Sequence, residues 1–86
     1  MDIWLVKQES NVDGERIFSV TPCSSLEIAK EVMQKAIDII LSDGFFKGYK
    51  DGEDWASVER RENEFFISAS YDSYDELIEI EKRKLL

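Results

Sequence analysis

Histidine is absent from this chain, and cysteine occurs once, at Cys23. The first absence removes the commonest general base and the commonest metal ligand. The second excludes an intramolecular disulfide and points to a reducing compartment. No apolar run approaches the roughly 20 residues needed to cross a bilayer. No positive-then-apolar leader opens the chain, so a cytoplasmic protein is expected. No P-loop and no Rossmann glycine pattern is present. Basic residues are also scarce, 11 Lys and Arg against 19 Asp and Glu, for a net charge of −8. That balance disfavours nonspecific binding to nucleic acid or to an anionic membrane.

What is there suffices for one small domain, residues 1–86. Hydrophobic content of 43%, with 12% aromatic, supports a core at a size where a single core is just adequate. No repeat, low-complexity tract or linker divides it. The charge is uneven, net −2 over residues 1–50 and net −6 over residues 51–86.

"DIWLVKQE" (2–9) and "ERIFSV" (15–20) read as strands joined by the hairpin signal Asp13-Gly14. Alternation sets Ile3 and Leu5 on one face and Trp4 and Val6 on the other, and Pro22 is expected to end the second strand. A helix over 25–43 follows. Ser24 and Glu27 form a capping box, with Cys23 and Ile28 in staple positions. Ala29, Val32, Met33, Ala36, Ile37, Ile40 and Leu41 follow helical spacing, and Gly44 is placed to end the helix. After the loop "FFKGYKDGED" (45–54), "WASVERR" (55–61) and "EFFISAS" (64–70) form a second hairpin over Glu62-Asn63. There Ala56 and Val58 alternate with Trp55, Ser57 and Glu59, and Phe65, Ile67 and Ala69 with Phe66 and Ser68.

The last segment, "SYDELIEIEKRKLL", fits two patterns. As a helix it has Ser73 and Glu76 as a capping box, but Glu81 and Lys84 fall in the stripe of Tyr74, Leu77 and Leu85. As a strand, Ile78 and Ile80 alternate with Glu79 and Glu81. The strand is the expectation, giving an α+β, two-layer domain with one amphipathic helix packed on an antiparallel sheet, in the order ββαβββ.

The pieces "IWLVKQ", "SSLEIAKE", "DWASVER" and "IEIEKRKL" make this outline similar to that of small phage and prophage proteins. These share an opening hairpin with an aromatic residue, a Ser-capped helix, and strands ending in a Glu/Lys-rich tail. The resemblance implies a class of function, inhibition of host defence or host enzymes by binding. It assigns no residues.

For chemistry, Asp51, Glu53 and Asp54 are oxygen donors of the kind that hold a divalent cation. "DGED" lacks the spacing of a calcium loop, so a solvated turn is the better reading. Paired carboxylates need a cleft that shifts one pKa, which one helix on one sheet rarely encloses. Cys23 next to a helix start has no cationic neighbour to activate it and reads as a packed residue. No catalytic residue, metal or cofactor is therefore assigned.

For binding, Glu79 and Glu81 on a strand would share one face about 6.6 Å apart, similar in scale to successive phosphates of a nucleic-acid strand. Glu59, Glu62 and Glu64 would add to that field from neighbouring strands, and Asp72, Asp75 and Glu76 from adjoining loops. Arg60, Arg61, Lys82, Arg83 and Lys84 interrupt it, and an ordinary solvated sheet face is the plain alternative. In "GFFKGYK" (44–50) one Phe is expected in the core, with Tyr49 exposed and Phe46 and Tyr49 named as partner anchors. The leading expectation is a non-enzymatic inhibitor or adaptor that binds a host protein with a basic surface through acidic strands and the 45–54 loop, with no direct nucleic-acid contact. The alternatives are a self-associating module that dimerises through an open strand edge, or a nucleotide sponge holding its ligand against Tyr49 and Lys50.

Overall fold

The computed structural model describes residues 1–84; Leu85 and Leu86, at the end of the last predicted segment, lie outside the described residues. The elements run β1 (Asp2–Val12), β2 (Glu15–Cys23), α1 (Leu26–Ser42), β3 (Ala56–Arg61), β4 (Glu64–Ala69) and β5 (Tyr74–Lys84). All neighbouring strands are antiparallel, in the spatial order β2-β1-β5-β4-β3. The ββαβββ order and the α+β class are as expected, with one helix packed on a five-stranded sheet.

The ambiguous last segment is a strand, and it is the central one. β5 pairs with β1 on one side and β4 on the other, joining the two hairpins. Its alternation decides this: Ile78 and Ile80 enter the core, at 0% and 9% exposure, while Leu77 and Glu79 point to the opposite face. A helix would have forced Glu81 and Lys84 into the buried stripe.

Two local expectations are corrected. The helix is capped by Ser25 rather than Ser24: the Ser25 hydroxyl accepts the Ile28 N–H at 3.2 Å. The third helical residue is then Ile28, which cannot return the bond as a glutamate would, so the Ser24/Glu27 box does not form. Cys23 is instead the last residue of β2, and Ile28 is 44% exposed, away from the core. Nor does Pro22 end β2. The Asp13-Gly14 turn, with φ of 50° and 85°, makes Val12 and Glu15 the first hydrogen-bonded pair. Counting along the ladder, the N–H and C=O groups of odd residues in β2 face β1, and those of even residues face outward. Pro22 thus lacks a donor that the sheet never needed.

The register assigns the faces. Trp4, Val6, Cys23, Ala56, Val58, Phe65, Ile67, Ile78 and Ile80 lie on the side covered by the helix, which crosses β5, β1 and β2. Ala29, Ile37 and Ile40 pack down on them. Ile3, Leu5, Phe18, Val20, Phe66 and Leu77 lie on the other side, which no described element covers.

Candidate binding surface

The aromatic loop is built inward. Phe46 is 3% exposed and stacks on Trp55, ring centroids 6.2 Å apart. It is a core residue rather than an accessible anchor, because the chain turns sharply after Asp43 and drives it under the helix end. Tyr49 is half-buried, corrected from the exposed position expected. Its ring meets Trp55 edge-on at 5.2 Å, and its hydroxyl donates to the Ala56 carbonyl at 3.3 Å. The signal missed was Trp55, a large apolar neighbour that gives the Tyr49 ring a partner despite flanking lysines. Phe45 is the exposed Phe and stacks on Tyr74 at 4.1 Å.

The expected acidic residues fall into three separate groups. Asp51, Glu53 and Asp54 remain exposed in the loop. The Glu53 carboxylate accepts the Lys50 N–H at 2.7 Å, and Asp51 lies 3.9 Å from Arg60. Among the described residues, no three acidic or Cys side chains converge as metal ligands would.

Glu62 and Glu76 belong to the helix side. Glu62, in the β3–β4 turn, pairs with Lys30 of the helix at 3.4 Å. Glu76 and Asp75 were expected in a loop but are residues of β5, because strand pairing with β1 begins as early as Tyr74. Glu76 is half-buried, accepts a hydrogen bond from Ser10, and lines a shallow cleft of about 270 Å³ with Ile40, Phe45 and Tyr74. Burial pushes its carboxyl pKa up, against the lowering effect of the Ser10 bond, and Asp75 adds to the rise. On the wall of the same cleft, the Tyr74 hydroxyl donates to Asp13 at 3.2 Å, and the Asp13 charge raises the phenol pKa.

The third group shares the uncovered face: Glu59, Glu64, Asp75, Glu79 and Glu81, with Asp72 in the exposed turn before β5. Here the expected pair of Glu79 and Glu81 divides. Glu81 is held by Lys7 and Arg83, each at 2.9 Å, and the hydrogen bond from Lys7 lowers its pKa despite some desolvation. Asp75 is tied to Asn11 at 2.7 Å. Glu79 has no ion pair among the described residues, and neither does Glu64, its direct cross-strand neighbour. Glu59 likewise has no ion pair among the described residues.

Like charges set directly opposite destabilise a sheet. Beside them run Leu77 and Phe66, and across β1 the edge residue Phe18, 58% exposed. Lys7, Glu9, Phe18, Leu77 and Glu79 line a second shallow cleft of about 220 Å³. Phe18 was not among the residues expected to bind. In "RIFSVTP" its alternation with Ile17 shows apolar residues on both faces, and that double-sided pattern was the available signal.

No protein-family model matches the chain, and no curated protein or solved structure matches it. No helix among the described residues is long and apolar enough to cross a membrane.

Proposed function

We propose that this chain is a small non-enzymatic binding protein, a two-layer α+β domain whose uncovered sheet face docks on a partner protein with a basic surface. The observation that carries this reading is the Glu64–Glu79 pair, with Glu59 nearby. The two carboxylates are held opposite each other without an ion pair among the described residues, although Arg61 and Lys7 are their other cross-strand neighbours. A partner's cation between them would relieve their repulsion, and the neighbouring Phe66 and Leu77 supply apolar contact beside the charge. Glu81 contributes less to this surface than Glu79, since Lys7 and Arg83 already occupy it. The resemblance to phage proteins directs the search to host proteins with grooves built for nucleic acid. Its place of action on this reading is the cytoplasm, where the lone thiol of Cys23 stays reduced.

The test is the association rate with a host protein captured at low salt, measured at two salt concentrations. Glu64→Lys combined with Glu79→Lys should slow association by about tenfold or more, and raised salt should slow the wild type in the same way. Equal rates for both proteins, indifferent to salt, would make the face ordinary solvated surface.

A further inference from the structure

We propose that β2 is a docking edge for a second copy of this chain, the two β2 strands pairing antiparallel about Ser19 into one continuous sheet. This does not depend on the basic-partner reading.

The ladder geometry comes first. Arg16, Phe18 and Val20 aim their N–H groups away from β1, and Arg16, Phe18, Val20 and Pro22 aim their carbonyls the same way. No described element covers that edge. Every residue of β2 except Cys23 is exposed, including Ile17 at 63%, Phe18 at 58% and Val20 at 43%. Such a row of unpaired groups is a template for another strand.

The opposite edge shows what protection looks like in the same molecule. β3 has six residues, of which Glu59, Arg60 and Arg61 are charged. Its outward residues are Ala56, Val58 and Arg60, and the Ala56 carbonyl is already taken by the Tyr49 hydroxyl. In β2 the charges are confined to Glu15 and Arg16 at the turn end. Seven consecutive uncharged residues follow, Ile17 to Cys23.

Self-complementarity identifies the occupant as a second copy. A two-fold axis through Ser19 overlaps the whole of β2 with itself, Glu15 opposite Cys23 and Arg16 opposite Pro22. Each outward donor then meets an outward acceptor. The N–H of Phe18 reaches the carbonyl of Val20 in the second copy, that of Val20 reaches Phe18, and that of Arg16 reaches Pro22. The absent donor of Pro22 falls at the rim, opposite an Arg16 carbonyl left to water. Phe18 lies beside Val20 of the second copy, a favourable aromatic and β-branched pair. No like charges face each other. Both uncovered faces end on the same side, so the two Phe18 residues join them into one surface.

The test uses light scattering on the intact chain, with circular dichroism for folding. Wild type should rise from monomer mass toward twice that value with concentration, reaching about 1.7 times monomer mass at about 500 µM for a Kd of about 100 µM and more for a tighter one. Val20→Pro removes an outward N–H and no bond to β1, so it should stay folded and monomeric throughout. Ser19→Cys places two thiols at a non-hydrogen-bonded pair about 4.5 Å apart at Cα, inside disulfide range. Oxidation should lock it as a covalent dimer, whereas Ser57→Cys on β3 should remain monomeric. A wild type that keeps monomer mass over the whole range, or a Ser19→Cys protein that crosslinks no better than Ser57→Cys, would overturn the proposal.

Discussion

Phe65 and Phe66 are neighbours in β4, yet Phe65 is 1% exposed on the helix side and Phe66 lies half-buried on the uncovered side. Both sides of the sheet carry large apolar residues. What separates them is what lies between those residues. On the helix side Val6, Ile78 and Ile80 form an unbroken run beneath Ile37 and Ile40. On the other side Leu5, Leu77 and Phe66 are interleaved with Lys7, Glu79, Glu81 and Glu64. Yet Phe65 and Phe66 each have one apolar and one charged cross-strand neighbour, Ile78 and Arg60 against Leu77 and Glu59, so the burial of Phe65 follows from the layer packed over its side of the sheet.

The largest expected effect tests that contrast directly. Phe65→Ala should lose about 3–5 kcal/mol in urea unfolding, the usual loss for emptying a buried aromatic site. Phe66→Ala should lose about 1 kcal/mol. Equal losses would mean that the uncovered side is packed as tightly as the helix side.

A second measurement asks to which side the aromatic loop belongs. Tyr49→Phe keeps the ring against Trp55 and removes the hydroxyl bonded to the Ala56 carbonyl. Stability should fall by about 0.5–1.5 kcal/mol. An unchanged unfolding midpoint would return Tyr49 to the exposed surface.

The smallest effect comes from Glu76, the carboxylate that β5 turns toward the helix side. Its folded pKa is raised, so its favourable contribution is fully present below the unfolded value of about 4.5 and is lost as pH rises through the folded value. Glu76→Gln abolishes that loss. At pH 7 the variant should melt about 1–2 °C above the wild type, and the difference should close as pH falls below about 4. A difference that does not vary with pH would detach it from ionisation.

How much of this was legible follows from the range of each signal. The helix, both hairpins and the Asp13-Gly14 turn are local, and spacing revealed them. Ile37 and Ile40 announced themselves by period, and Ile78 and Ile80 by alternation. The position of β5 between β1 and β4 is a long-range pairing that no local pattern encodes. The candidate surface shared that limit. Glu79 and Glu81 were rightly placed on one face, but whether each is neutralised depends on Lys7, some seventy residues away in the chain. Phe46 is a partner anchor on the local sequence, but one of the two adjacent phenylalanines had to enter the core, and contact with Trp55 selects Phe46. Phe18 escaped notice because edge exposure is a property of strand order.

The central place of β5 also governs how the chain reaches its fold. The two hairpins and the helix precede β5 in the sequence, and each hairpin can close alone through short turns. Neither can join the other until β5 arrives, because β1 and β4 share no direct pairing. The β1–β5 ladder spans Asp2↔Lys84 to Val12↔Tyr74, so the chain must close its longest loops before the core is shut. Assembly of this kind is governed by non-local contacts, which slows folding relative to a helical domain of equal length. Until β5 docks, the inner edges of β1 and β4 stand open beside that of β2. A slow step at β5 would leave the unfinished sheet prone to pairing with other chains.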